Sequence, residues 1–149
     1  MKKRIWLSIG WILILAIILA ACGSGETSGN SSGDEAIDEM TAQVEQLENG
    51  TYRYTVLNKT EAAETFNFTS GQRFDFSLSN EAGEEVFLLS SVSAYIQALG
   101  TETVEPGQEL SYDFEVPPLE LEPGTYTLEA WLTPEEGPAF EAKSEYIVE

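Results

Sequence analysis

Histidine is absent from this chain and cysteine nearly so. Without His there is no Ser–His pair to activate a nucleophile and no Cys/His set for zinc. The single cysteine, Cys22, has no partner for an internal disulfide, so a folded part must be held by its core. Positive charge is also scarce. Seven Lys and Arg face 26 Asp and Glu, and three of the seven, Lys2, Lys3 and Arg4, lie at the N-terminus. Beyond residue 21 only Arg53, Lys59, Arg73 and Lys143 stand against all 26 acids, a net charge of −22. Phosphate contacts need basic patches, so nucleic acid is not expected as a partner. An anionic lipid surface would likewise repel the domain.

The acids carry no Asp-x-Asp-x-Asp-Gly run, and calcium needs six to eight arranged oxygens. Glu81, Glu84 and Glu85, and Asp113 with Glu115, therefore read as solvated faces, and no metal site is expected. Two carboxylates can split a glycosidic bond, and counting acids does not exclude it. No nucleophile-and-base pair is recognisable, however, so the chain is read as a non-enzyme without a cofactor.

One long apolar run is present. Ile5 to Leu19 is almost wholly apolar, follows the three basic residues, and ends in Leu19-Ala20-Ala21-Cys22. This is the three-part layout of a secretory signal: a basic end kept in the cytoplasm, a stretch that enters the bilayer, and small residues that open the backbone to a peptidase. The four closing residues resemble the lipobox of bacterial lipoproteins. That resemblance implies cleavage before Cys22 and a diacylglycerol on its sulfur, hence a chain anchored by lipid on the outer face of the cell membrane. The other reading is an uncleaved helix, for which Ile5–Ala21 falls a little short of the about 20 residues that a span needs. Both place the remainder outside.

Residues 22–38 are Gly/Ser-rich and acidic, and are expected to form a flexible tether. From residue 39 the pattern becomes short runs of period two: Tyr52, Tyr54, Val56; Phe66, Phe68; Phe74, Phe76, Leu78; Leu110, Tyr112, Phe114, Val116; Tyr126, Leu128, Ala130, Leu132; Tyr146, Val148. Such alternation marks half-buried strands. Met40, Ala42 and Val44 fit a strand, although Ile37, Met40, Val44 and Leu47 have helical spacing; the Asn49-Gly50 turn that follows favours the strand. Asn80–Gly83, Pro106-Gly107, Pro123-Gly124 and Gly137-Pro138 are further turns. An immunoglobulin-like antiparallel β-sandwich over residues 39–149 is predicted. The Asn30, Asn58 and Asn67 triplets fit glycosylation sequons and read as chance matches.

Several stretches resemble the Bacillus intracellular proteinase inhibitor (BsuPI) family: Val56-Leu-Asn-Lys-Thr60, the run Phe66-Asn-Phe-Thr-Ser-Gly-Gln-Arg-Phe-Asp-Phe76, Asn80-Glu-Ala-Gly-Glu-Glu-Val86, Tyr95-Ile-Gln97, Val104–Gln108 and Glu122–Tyr126. The resemblance covers roughly residues 40–149 and implies an immunoglobulin-like sandwich that inhibits serine proteases. The strand after the 80–83 turn reads Val86-Phe-Leu-Leu89, where the family often carries a Trp. The alternative function is a non-inhibitory binding or structural module of the cell envelope.

Sixteen residues, Val86 to Thr101, carry no charge. In one reading they are a core strand at Val86–Leu89 with an apolar cover at Tyr95–Leu99. In the other, Ser90, Ser91, Val92, Ser93, Ala94 and Tyr95 form an exposed loop that meets a protein partner, since interface cores are poor in charge and rich in aromatics. A loop could enter a protease cleft, or an edge strand could pair with the protease. Pro117-Pro118 reads as a second rigid loop or as a strand stop.

Overall fold

The computed structural model describes residues 39–149; the signal segment, the lipobox with Cys22 and the tether lie outside the described residues. Among these, nine strands form: β1 (Met40–Gln46), β2 (Thr51–Asn58), β3 (Glu64–Phe68), β4 (Phe74–Ser79), β5 (Glu85–Leu88), β6 (Gly100–Val104), β7 (Glu109–Glu115), β8 (Gly124–Leu132) and β9 (Ala139–Val148). One helical turn, α1 (Leu89–Val92), follows β5. The alternating runs seen in the sequence thus become strands, and the ambiguous segment at Met40 becomes β1, paired from Met40↔Asn58 to Gln46↔Tyr52.

All pairings are antiparallel. One sheet has the order β1-β2-β7 and the other β5-β4-β8-β9, while β3 and β6 form a separate ribbon. The chain crosses between the two sheets on passing from β2 to β4, from β5 to β7 and from β7 to β8. This is the connectivity of an immunoglobulin-like sandwich. The core lies between the sheets. Tyr52, Tyr54 and Val56 of β2 face Phe76 and Leu78 of β4 and Leu128, Ala130 and Leu132 of β8, all buried. Aromatic rings bridge the layers: Phe76 lies 4.5 Å from Phe114 and Phe74 lies 5.2 Å from Tyr112, centroid to centroid. With no disulfide available, this ring stack holds the sheets together, each pair contributing about 0.5–1.5 kcal/mol beyond its buried area.

The turns follow their residues. Gly83 takes φ +80° and donates its N–H to the Asn80 carbonyl at 2.9 Å, and the Asn80 side chain accepts from Ala82 and Glu84, closing the β4–β5 hairpin. Between β1 and β2 the link is a 3₁₀ turn, Glu48–Gly50, with Gly50 at φ +79°. The connection is four residues, Leu47–Gly50, with Asn49-Gly50 at its end. At the start of β9 a bulge opposite Trp131 places Phe140 at φ +58°, unusual for a bulky residue. Its carbonyl accepts the Tyr54 hydroxyl and its ring packs edge-on against Phe66, 5.5 Å away. Those contacts hold it there.

The strand directions bring the β2–β4, β5–β7 and β8–β9 connections to one end of the sandwich. The β1–β2, β4–β5 and β7–β8 connections lie at the other.

Candidate functional site

The first of these ends holds the uncharged stretch. Asp75 begins the construction. The alternation of Phe74 and Phe76 predicts Asp75 and Ser77 facing solvent, but both are only 5% exposed. Their strand, β4, is central, Trp131 stands directly opposite Asp75 on the same face, and α1 packs over β4 and β5. The Asp75 Oδ1 accepts two backbone N–H groups, from Phe76 at 2.9 Å and from Ser90 at 3.1 Å. It thereby ties the start of α1 to the sheet. The Ser91 hydroxyl donates to the Leu88 carbonyl at 2.6 Å and closes the turn from the other side.

After α1 the chain leaves regular structure from Ser93 to Leu99. The Ile96 carbonyl accepts two N–H groups, from Gly71 at 2.8 Å and from Ala98 at 3.0 Å. With its carbonyl held inward, the segment turns its side chains out. Val92 is 69% exposed, Ile96 76% and Leu99 87%. Of the six candidate contact residues, Ser91, Val92, Ala94 and Tyr95 are exposed, while Ser90 and Ser93 are half-buried. The apolar cover expected at Tyr95–Leu99 is therefore absent. The core beneath is already closed by Phe87, Phe76 and their neighbours, and the loop is attached by its backbone. Val86–Leu88 does form a strand, with Phe87 buried and Val86 40% exposed, as suits an edge.

Arg73 fastens the neighbouring loop. Its Nε donates to Glu102 Oε1 at 2.7 Å, its Nη1 to the Ser70 carbonyl at 2.6 Å, and its guanidinium sits 4.6 Å over the Phe68 ring. Gly100 is where it is because of this group: a Cβ there would collide with the Arg73 guanidinium. The Tyr112 hydroxyl donates to Glu102 at 3.4 Å, and burial, with the Glu102 carboxylate second, pushes that phenol well above its ordinary range. The β8–β9 loop joins the same assembly, with Thr133 N–H on the Arg73 carbonyl at 3.0 Å and Glu135 N–H on the Asn67 carbonyl at 2.7 Å. Three loops thus form one cross-linked surface, with the neutral segment outermost.

Asn58, one of the sequon residues, is wholly buried. Its amide donates to the Ala62 and Val104 carbonyls and its Oδ1 accepts from Thr60, so it holds the β3–β6 ribbon to β2. Pro117 and Pro118 come one residue beyond the end of β7, at the far end, and act as a strand stop. Two shallow depressions exist elsewhere. One, of about 200 Å³, lies against β1 and β2 beside Thr41, Gln43, Lys59 and Glu109. The other, of about 270 Å³, lies at the far end between Asn80–Ala82 and Glu122–Tyr126.

The model of a family described as intracellular proteinase inhibitor, BsuPI, matches residues 33–137. The chain belongs to the BsuPI family. The match spans β1 to β8 and all three loops of the cross-linked end, and the family is one of proteinase inhibitors rather than of catalysts. No curated protein matches the chain. Among solved structures, the Pseudomonas fluorescens alkylpurine DNA glycosylase AlkC bound to DNA containing an abasic site analog is similar at TM-score 0.35 and 9% identity. That likeness covers 72% of this chain and 30% of the other, and at this level it bears on neither fold nor function.

Proposed function

We propose that this BsuPI domain is carried by a lipoprotein on the outer face of the cell membrane and inhibits a serine protease there by protein–protein binding. The anchor is the diacylglyceryl group on Cys22, and residues 22–38 hold the domain off the bilayer. The observation that carries the inhibitory reading is the location of exposed apolar side chains. Of the six large apolar residues exposed among those described, Val86, Val92, Tyr95, Ile96 and Leu99 lie in the uncharged stretch and only Ile147 lies elsewhere. Val86 lies on the edge strand β5, so Val92, Tyr95, Ile96 and Leu99 are the four at the braced loop end. A surface so acidic that gathers most of its apolar exposure on one loop end has the composition of an interface core.

A loop entering the protease cleft accounts for this better than edge-strand pairing. The edges β1, β7 and β9 carry Glu45, Glu109, Asp113, Glu115, Glu141 and Glu145, and the remaining sheet edge, β5, is only four residues long and starts at Glu85; charged or very short edges oppose strand pairing. The test is a titration of serine proteases with the purified full chain in detergent. Saturable loss of activity while the chain stays intact on a gel is the expected result. Cleavage of the chain, or unchanged activity at every ratio, sinks the inhibitor and leaves the non-inhibitory envelope module.

A further inference from the structure

Ile96 and Leu99 lie just beyond the segment Ser90–Tyr95, yet they are the two most exposed large apolar side chains among the described residues, at 76% and 87%. Each costs free energy where it stands, because apolar surface in water is unfavourable. Nothing in the packing requires them there. The backbone beneath them is fixed instead: the Ile96 carbonyl is held by the Gly71 and Ala98 N–H groups, and Leu99 precedes Gly100, over which the Arg73 guanidinium is clamped between Glu102 and Ser70. Gly71 itself comes so close that an added Cβ would meet the Ile96 Cγ1 at 3.3 Å. Rigid backbone under exposed apolar side chains lowers the entropy lost on docking.

We infer that Ile96 and Leu99 are the anchor residues of the inhibitory surface, and that they fill protease subsites shaped for large aliphatic side chains. This rests on the proposed inhibitory function. The chemistry selects the occupant. A pocket that takes Lys or Arg onto an acidic floor finds no cation in Val86–Thr101. The nearest one, Arg73, is committed to Glu102 and the Ser70 carbonyl. An apolar pocket, in contrast, gains the burial of two side chains already presented. The Ile96 carbonyl, occupied by two donors, is not offered to a catalytic centre, so Ile96 serves as a flanking contact and Leu99 as the deeper one.

The experiment compares the full chain in detergent with Leu99→Glu, Ile96→Glu, the milder Leu99→Ala, and Ile147→Glu as an exposed apolar control. Two serine proteases are used, one cleaving after large apolar residues and one after basic residues. Folding is followed by thermal melting. The expected result is inhibition of the first protease, with apparent Ki raised at least about 30-fold by each glutamate at 96 or 99 and nearly unchanged by Ile147→Glu, the scale of an interface hot spot. If the parent chain inhibits and both glutamate variants inhibit equally well, the anchors are wrong while the inhibitory function stands. Preferential inhibition of the protease with the acidic pocket overturns the subsite assignment. If the parent chain inhibits neither, the inhibitory function fails and the anchors fall with it.

Discussion

Tyr54 shows how a single side chain couples the core to pH. Its ring is wholly buried, stacked near Phe74 and Tyr112, and its hydroxyl is spent on the Phe140 carbonyl. Burial drives its phenol far above the ordinary value, because the phenolate would be formed out of water. The folded pKa exceeds the unfolded one, so the neutral phenol's contribution is complete below about pH 10 and is lost as pH rises above that. Stability should then fall by about 1.4 kcal/mol per pH unit for this one group in the alkaline range. Tyr54→Phe, melted at pH 8 and at pH 11, should show a shallower decline than the parent; an equal decline would mean other groups govern the alkaline limb. The aromatic pattern of β2 was legible from alternation alone. The burial of Asp75 and Ser77 was not, since a period-two pattern says which face is apolar but not whether the other face is also covered, here by α1 and Trp131.

Among the elements, most strands could be read from their alternation and β5 from its apolar run, but β6 from neither. Gly100–Val104 reads Gly-Thr-Glu-Thr-Val and has no apolar period. It forms because it pairs with β3 in a two-stranded ribbon, and its register is set by Arg73, which reaches Glu102 and closes over Gly100. Long-range clamps of this kind leave no mark on local periodicity. Gly100→Ala should displace the guanidinium and cost about 1–3 kcal/mol through its charged hydrogen bonds. In an Arg73→Met background the same substitution should cost little, because the group it collides with is gone. Chemical denaturation of the two single variants and the double variant checks this. Equal cost in both backgrounds would mean that Gly100 is required for its backbone and not for the clamp.

At the scale of the whole molecule, one end of the sandwich is built differently from the rest. Elsewhere the surface is acidic, and the cations Arg53 and Lys143 are paired with Asp113 and Glu129. The side-chain bond from Arg53 holds the Asp113 carboxyl below its usual range. Within the three-loop end, which also carries the exposed Glu135 and Glu136, the segment 89–99 presents neutral, apolar residues on a fixed backbone. The sequence marks this segment by its want of charge, but that sign fits a buried cover as well as an exposed contact. The exposure of Val92, Ile96 and Leu99 shows that it is not a buried cover. The central claim is that this end is the inhibitory face. Hydrogen exchange on the full chain, free and bound to an inhibited protease, tests it directly. The account predicts slowed exchange confined to residues 89–99 and the adjoining 69–73 loop, with the β1, β7 and β9 edges unchanged. Protection along one of those edges, with residues 89–99 exchanging as in the free chain, would contradict it.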